Sequence, residues 1–359
     1  MSLQTLIEHS RRYGSDASFV LLGGGNTSCK EQGVMYVKAS GHALGTIGKS
    51  GFVRMDLAKM EGIWCKQYSQ DDDTREDEVL KDMMACRLEG ETARPSVEAL
   101  LHALLPFDYV VHLHPAMVNG VTCAKEGKSA VERLFPEALW IELVKPGFIL
   151  ANIVRERMAV HTKQTGAVCS LIFLQNHGIF VGGATLEEIA SQYESVMGRI
   201  ESVLVRKPDF TPVASDQAKV EAVKHVLGRY TSERILFAMN KEYERCLKDE
   251  ASFVDVSSSF TPDHIVYAGF KPLWVGENED VAKAFEAFET QNGGRAKIVC
   301  VQNLGVFSLG EKPMPLFLDS VAISVYAQSF GGPLFMDEPM IDFIRNWEVE
   351  KYRSKVSST

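Results

Sequence analysis

Residues 172–183 read IFLQNHGIFVGG, and residues 299–310 read VCVQNLGVFSLG. Five of the twelve positions are identical, and three more exchange one branched aliphatic residue for another. Each segment is strand-like, rich in branched and aromatic residues, and each precedes a helical pattern. We read the two as copies of one diverged structural unit. Where the first copy has His177, the second has Leu304. On this reading the second copy has kept its packing and lost a chemical group.

Working outward, the chain before residue 206 alternates helix and strand signals. A helix near 3–13 stops at Gly14, and Phe19–Leu22 reads as a short strand entering a glycine-rich turn. Val34–Lys38 is a second strand, ending in Ala39-Ser40-Gly41. The acidic run Asp71 to Glu78 leads into a helix at Val79–Leu88, since acidic residues suit a helix N-terminus. Tyr109–Leu113 and Val168–Leu174 are β-rich runs with the character of buried strands. The whole predicts an α/β fold with helices covering a sheet. The stretch Lys207-Pro208-Asp209-Phe210-Thr211-Pro212 marks a boundary, because two prolines remove two backbone donors and disfavour helix before them. The expected domains are therefore 1–206 and 213–359, the second an α/β unit built on the copy at 299–310.

Composition narrows the function. The 359 residues are 45% apolar and 24% charged, which excludes a disordered chain. No apolar stretch approaches the roughly 18–20 residues that span a bilayer. The start, MSLQTLIEHSRRYG, reads as an amphipathic helix and not as a signal peptide. Acidic residues outnumber basic ones, 47 to 38, without the basic stripe of a phosphate-backbone binder, so neither nucleic acid nor an anionic membrane is an expected partner. The seven cysteines contain no Cys-x-x-Cys pair. A disulfide framework is not expected, and a reducing cytoplasm is the simpler home.

Three histidines have informative surroundings. His112 and His114 flank Leu113 on a predicted strand, whose side chains alternate with period two, so both imidazoles face one side and could share a metal. Zinc takes imidazole nitrogens at about 2.0–2.1 Å, and three such ligands with an open fourth position make a catalytic site. His177, just past another buried strand, would complete that set, and Gly178 after it permits close backbone approach. The competing reading is a coincidental group of core histidines. Glu98 lies in Arg94-Pro95-Ser96-Val97-Glu98, where Pro95 suits the first turn of a helix. One helix and a turn separate Glu98 from His112, so the two can meet. His102, one turn after Glu98, is read as a packing or supporting residue. Leu22-Gly23-Gly24-Gly25-Asn26-Thr27-Ser28 resembles a phosphate cradle, but it is neither the dinucleotide fingerprint nor a P-loop. Ser40-Gly41 forms a second small-residue corner.

LGGGNTSCK, VKASG, PSVEALLH, HLH and QNHG stand here in the order and rough spacing of the class II aldolase/adducin family. The sequence most resembles the aldolase part of bifunctional rhamnulose-1-phosphate aldolase/lactaldehyde dehydrogenases. TPDHIVYAG, VQNLGVFSLG and the WEVEKY helix resemble the stretch that follows the catalytic part there. No nucleotide fingerprint is found, so the dehydrogenase part is expected to be absent. The resemblance implies an α/β/α-layered fold around a mainly antiparallel or mixed sheet. It makes His112, His114 and His177 the ligands of one zinc ion per chain and Glu98 the catalytic acid/base. Asn26, Ser40, Gly41 and Ser96 would surround the substrate phosphate. Fuculose-phosphate aldolases have Ser-Ser-Glu where this chain has Ser96-Val97-Glu98, so phosphate binding must differ in detail. Five-carbon epimerases of the family carry Asp at the position of Glu98, which favours an aldolase.

The implied activity is cleavage of a ketose 1-phosphate, of the rhamnulose 1-phosphate kind, to dihydroxyacetone phosphate and a short aldehyde such as lactaldehyde. Glu98 should be poised near neutrality, helped by burial beside Val97. Another sugar-phosphate lyase, epimerase or dehydratase could use the same groups. An adducin-like assembly module, the non-enzymatic alternative, lacks the metal histidines. The resemblance also implies a homo-oligomer, with a tetramer favoured.

Overall fold

A computed structural model describes residues 3–347. The WEVEKY stretch lies outside the described residues from Glu348 onward. The described residues form two compact units, residues 3–118 with 128–202 and 346–347, and residues 119–127 with 203–345.

Up to residue 202 the helices are α1 (Leu3–Gly14), α2 (Leu57–Ile63), α3 (Asp72–Ala85), α4 (Ala99–Leu104), α5 (Ala116–Thr122), α6 (Gly127–Leu134), α7 (Phe148–Thr165) and α8 (Leu186–Glu201). The strands are β1 (Asn26–Glu31), β2 (Val34–Lys38), β3 (Phe52–Asp56), β4 (Tyr109–Leu113), β5 (Leu139–Ile141), β6 (Leu171–Leu174) and β7 (Gly178–Gly183). They make one sheet in the order β3-β2-β1-β4-β7-β6-β5. Only β5 and β6 pair in parallel, so the sheet is mixed and mainly antiparallel. Alternation along the strands sends Met35, Val37, Val53, Met55, Val110 and Phe180 into one core with residues of α2, α3, α4 and α7. On the other face Ser10 of α1 hydrogen-bonds Thr27 of β1 at 2.7 Å, and the Tyr193 hydroxyl of α8 donates to the Val111 carbonyl at 3.1 Å. These are the three layers the fold requires.

Three local expectations need correction. Phe19–Leu22 is not a strand; its backbone turns, and Leu22 takes φ +49° before the glycines. The acidic run is not a prelude to a helix but its first turns: Asp71 caps α3 by accepting from the Thr74 amide at 3.0 Å, and the helix ends at Ala85. Pro95 is outside any helix. It forms an isolated bridge with Ala39, and α4 begins only at Ala99.

The second unit contains β8 (Ile235–Ala238), β9 (Leu273–Val275), β10 (Ile298–Val301) and β11 (Gly305–Leu309). Its helices include α9 (Gln217–Leu227), α10 (Lys241–Cys246), α11 (Glu250–Phe253), α12 (Val281–Asn292), α13 (Pro313–Ala327) and α14 (Glu338–Asn346). The sheet order is β8-β11-β10-β9. This reproduces β4-β7-β6-β5 in order and in sense, with β9 and β10 the parallel pair. The register repeats too: Leu174 pairs with Gly178 and Ile141, as Val301 pairs with Gly305 and Val275. The parallel partners read Leu139-Trp140-Ile141 and Leu273-Trp274-Val275. Gln175 and Gln302 each donate their amide to a carbonyl of that strand, Ile141 and Val275, at 2.9 Å. Their side-chain oxygens accept the amides of Leu143 and Glu277. Gly166 and Gly293 end the helices before the two hairpins in the same left-handed conformation. Among the described residues, no helix is long and apolar enough to cross a membrane.

Candidate functional site

β4 lies in the middle of the larger sheet, between β1 and β7, and delivers His112 to the face covered by α4. His114 follows directly after the strand. His177 occupies the β6–β7 turn, where Asn176 takes φ +55° to reverse the chain. Gly178 makes the approach possible: a Cβ there would stand 2.6 Å from His114 Cδ2 and 2.6 Å from the Leu113 carbonyl. The three ring nitrogens converge. His112 Nε2 is 2.8 Å from His114 Nε2 and 3.4 Å from His177 Nε2.

The orientation of His112 is set behind the cluster. Its Nδ1 donates to the Ile179 carbonyl at 3.0 Å, which leaves Nε2 bare and facing inward. The Phe180 ring stacks on the imidazole at 4.0 Å, tilted by only 13°. Burial pushes the His112 imidazole below its usual value, so the ring is neutral near pH 7, the form that ligates.

Glu98 immediately precedes α4, where its carboxylate accepts no capping hydrogen bond. It points instead at the histidines: Oε1 is 3.2 Å from His112 Nε2 and 3.3 Å from His177 Nε2. Oε2 accepts from the Asn26 side-chain amide. Burial works to raise the Glu98 carboxyl, but the imidazoles around it, His112 first, then His177 and His114, hold it well below the usual carboxylate range.

A divalent cation fits this donor set. Oε1 of Glu98 is buried with no hydrogen-bond donor of its own, and it faces a bare imidazole nitrogen. Two acceptors so placed repel unless a positive charge lies between them. The 3.4 Å between His112 Nε2 and His177 Nε2 is also close to the edge of a tetrahedron with bonds of about 2.0–2.1 Å. His112, His114 and His177 form the group among the described residues that could hold a metal ion.

Of the other residues singled out in the sequence, Asn26 and Ser96 contact Glu98. Ser96 Oγ accepts the Glu98 amide at 3.3 Å. The Ala39–Pro95 bridge lays residues 38–40 along residues 94–96, with the Ser40 amide donating to the Arg94 carbonyl at 2.8 Å and the Ser96 amide to the Lys38 carbonyl at 3.0 Å. Asn26, at the start of β1, pairs in register with His112. His102 stands outside the metal-competent group. Its Nδ1 bonds Ser28 Oγ at 2.7 Å, and burial pushes its pKa down to about 3, so it is a neutral packing ring. Three participants are not identifiable from the sequence. The Ile179 carbonyl is backbone, the Phe180 stack needs the β4–β7 register, and the Lys38 ammonium donates to the backbone carbonyls of Gly23 and Gly25, at 2.8 and 2.7 Å.

Residues 4–201 match the family described as Class II Aldolase and Adducin N-terminal domain. A protein of Bacillus subtilis described as the uncharacterized oxidoreductase YuxG is 23% identical over an alignment 408 positions long, gaps included, which covers 98% of this chain and 58% of that protein. The chain thus spans little more than half the length of this relative. Among solved structures, the N-terminal class II aldolase domain of a conserved protein from Thermoplasma acidophilum is 26% identical, covering 56% of this chain and 93% of that one, with a TM-score of 0.48. A structure described as L-fuculose 1-phosphate aldolase is 18% identical, covering 55% of this chain and 84% of that one, with a TM-score of 0.36.

Proposed function

The chain belongs to the class II aldolase and adducin family, and on that premise we propose that it is a zinc-dependent aldolase cleaving a ketose 1-phosphate, of the rhamnulose 1-phosphate kind, to dihydroxyacetone phosphate and a short aldehyde such as lactaldehyde. The observation that carries the reading is the convergence of three imidazole nitrogens and one buried carboxylate on a single point. A module with a purely structural role has no use for such a cluster.

His112, His114 and His177 would hold the zinc ion, one per chain. When bound, zinc supplies Lewis-acid stabilisation of the negative charge that retro-aldol cleavage leaves on the dihydroxyacetone-phosphate half. Glu98 moves the proton at the carbon where that charge develops, and Oε1 is the oxygen available for it. Oε2 is engaged by Asn26, which keeps the carboxylate from rotating. Phe180 and the Ile179 carbonyl hold His112 in one orientation. Asn26, Ser40, Gly41 and Ser96 form the phosphate pocket, with Val97 contributing no donor. The working assembly is a homo-oligomer, a tetramer, in the cytoplasm.

The test is turnover. Metal-loaded protein is offered rhamnulose 1-phosphate and fuculose 1-phosphate, and dihydroxyacetone phosphate is measured. Cleavage of either, abolished by chelation and restored by zinc, supports the reading. Failure with both by fully metal-loaded protein would overturn it.

A further inference from the structure

Lys38 is the last residue of β2, buried at 3% exposure. Taking an ammonium out of water is unfavourable unless acceptors surround it. Here its Nζ donates to the carbonyls of Gly23 and Gly25. Those carbonyls belong to three consecutive glycines, the residue type with the most conformational freedom to lose. Gly25 adopts φ +68°, and a Cβ there would stand 3.0 Å from the His112 carbonyl, so no side chain can stiffen the turn at that position. The lysine does so from outside. In a trans peptide the C=O and the following N–H point in opposite directions, so fixing the Gly25 carbonyl also fixes the direction of the Asn26 amide.

Asn26 is the residue that holds Glu98 Oε2. From the other side, the Lys38 carbonyl accepts the Ser96 amide at 3.0 Å, and Ser96 Oγ accepts the Glu98 amide. Lys38 thus reaches Glu98 by two routes, one through its ammonium and one through its backbone. The first can be removed by mutation and the second cannot.

We propose that Lys38 is a positioning residue: its ammonium selects one conformation of the Gly23–Gly25 turn and so aims Asn26, and through it the Glu98 carboxylate, at the reacting carbon. This rests on the aldolase reading for its kinetic consequence only. The test compares metal-loaded wild type with Lys38→Met, which keeps length and apolar bulk but cannot donate. Hydrogen–deuterium exchange should rise in residues 20–27 and stay unchanged in residues 298–309. Metal content should match wild type, and kcat should fall about 10²-fold, the effect of a misplacement of roughly 1 Å, with KM changed far less. Lys38→Arg, which retains charge and donors, should recover part of kcat. Where Lys38→Met yields no folded protein, Lys38→Gln, a neutral donor, takes its place with the same expectations at smaller amplitude. Unchanged exchange in 20–27, or a kcat equal to wild type in a folded variant, overturns the proposal. If wild type itself cleaves no ketose 1-phosphate, the aldolase reading fails, and the exchange measurement still decides the role of Lys38.

Discussion

The β6–β7 hairpin and the β10–β11 hairpin share a glutamine held in the same two hydrogen bonds, an asparagine at φ +55° and a glycine after the turn. They differ in what the turn presents. In the first, His177 stands between Asn176 and Gly178, and the paired strand brings His112 opposite Phe180. In the second, Leu304 stands between Asn303 and Gly305, and the paired strand brings Phe237 opposite Phe307, with the rings 4.9 Å apart. An imidazole stacked on an aromatic ring in one unit is replaced by two aromatic rings in the other. The same backbone thus frames a polar cluster or an apolar core, and a few side chains decide which. The glycines show the same division. A Cβ on Gly178 would strike His114, whereas a Cβ on Gly305 would strike the Phe237 ring at 2.6 Å.

This contrast predicts separable losses. Glu98→Gln should keep the metal and the fold but reduce turnover about 10²–10⁴-fold, the usual range for acid/base catalysis; steady-state kinetics on metal-loaded protein would show it, and wild-type turnover would remove Glu98 from the mechanism. Gly178→Ala should displace His114 and weaken metal binding about 10–100-fold, as disturbing the support of a ligand does. Competition with a chromophoric chelator measures this, and unaltered affinity would mean that the close approach at Gly178 is irrelevant to the site. In the second unit the corresponding changes should cost stability alone. Leu304→Ala empties a buried position and should lower unfolding free energy by about 2–5 kcal/mol, read by denaturant titration, with zinc affinity unchanged. Gly305→Ala, which crowds Phe237, should cost about 1–3 kcal/mol and likewise leave the metal in place. Loss of metal in either variant would break the division between the units.

Much of the site is legible in the sequence because its chemistry resides in distinctive residue types. Period-two spacing places His112 and His114 together, and the Gln-Asn-His-Gly turn marks His177. The contact between Asn26 and Glu98 is not legible, since it depends on the β1–β4 register and on a segment whose proline could serve a helix start or a bridge equally well. Pro95 took the bridge because Ala39 offered it a partner strand. Lys38 escapes for another reason: it donates to backbone carbonyls, which every residue has. The hairpin repeat could be read from twelve residues. The match of Leu139-Trp140-Ile141 with Leu273-Trp274-Val275 could not, because three residues carry too little pattern until a sheet shows them to be equivalent.

The central claim is that one hairpin binds a metal and its counterpart does not. Metal content of the purified protein, measured beside that of His177→Leu, tests it most directly, because this substitution gives the first hairpin the residue the second already has. The account predicts one zinc ion per chain in wild type and substoichiometric metal in folded His177→Leu. Two zinc ions per wild-type chain, or a full complement retained by the variant, would contradict it.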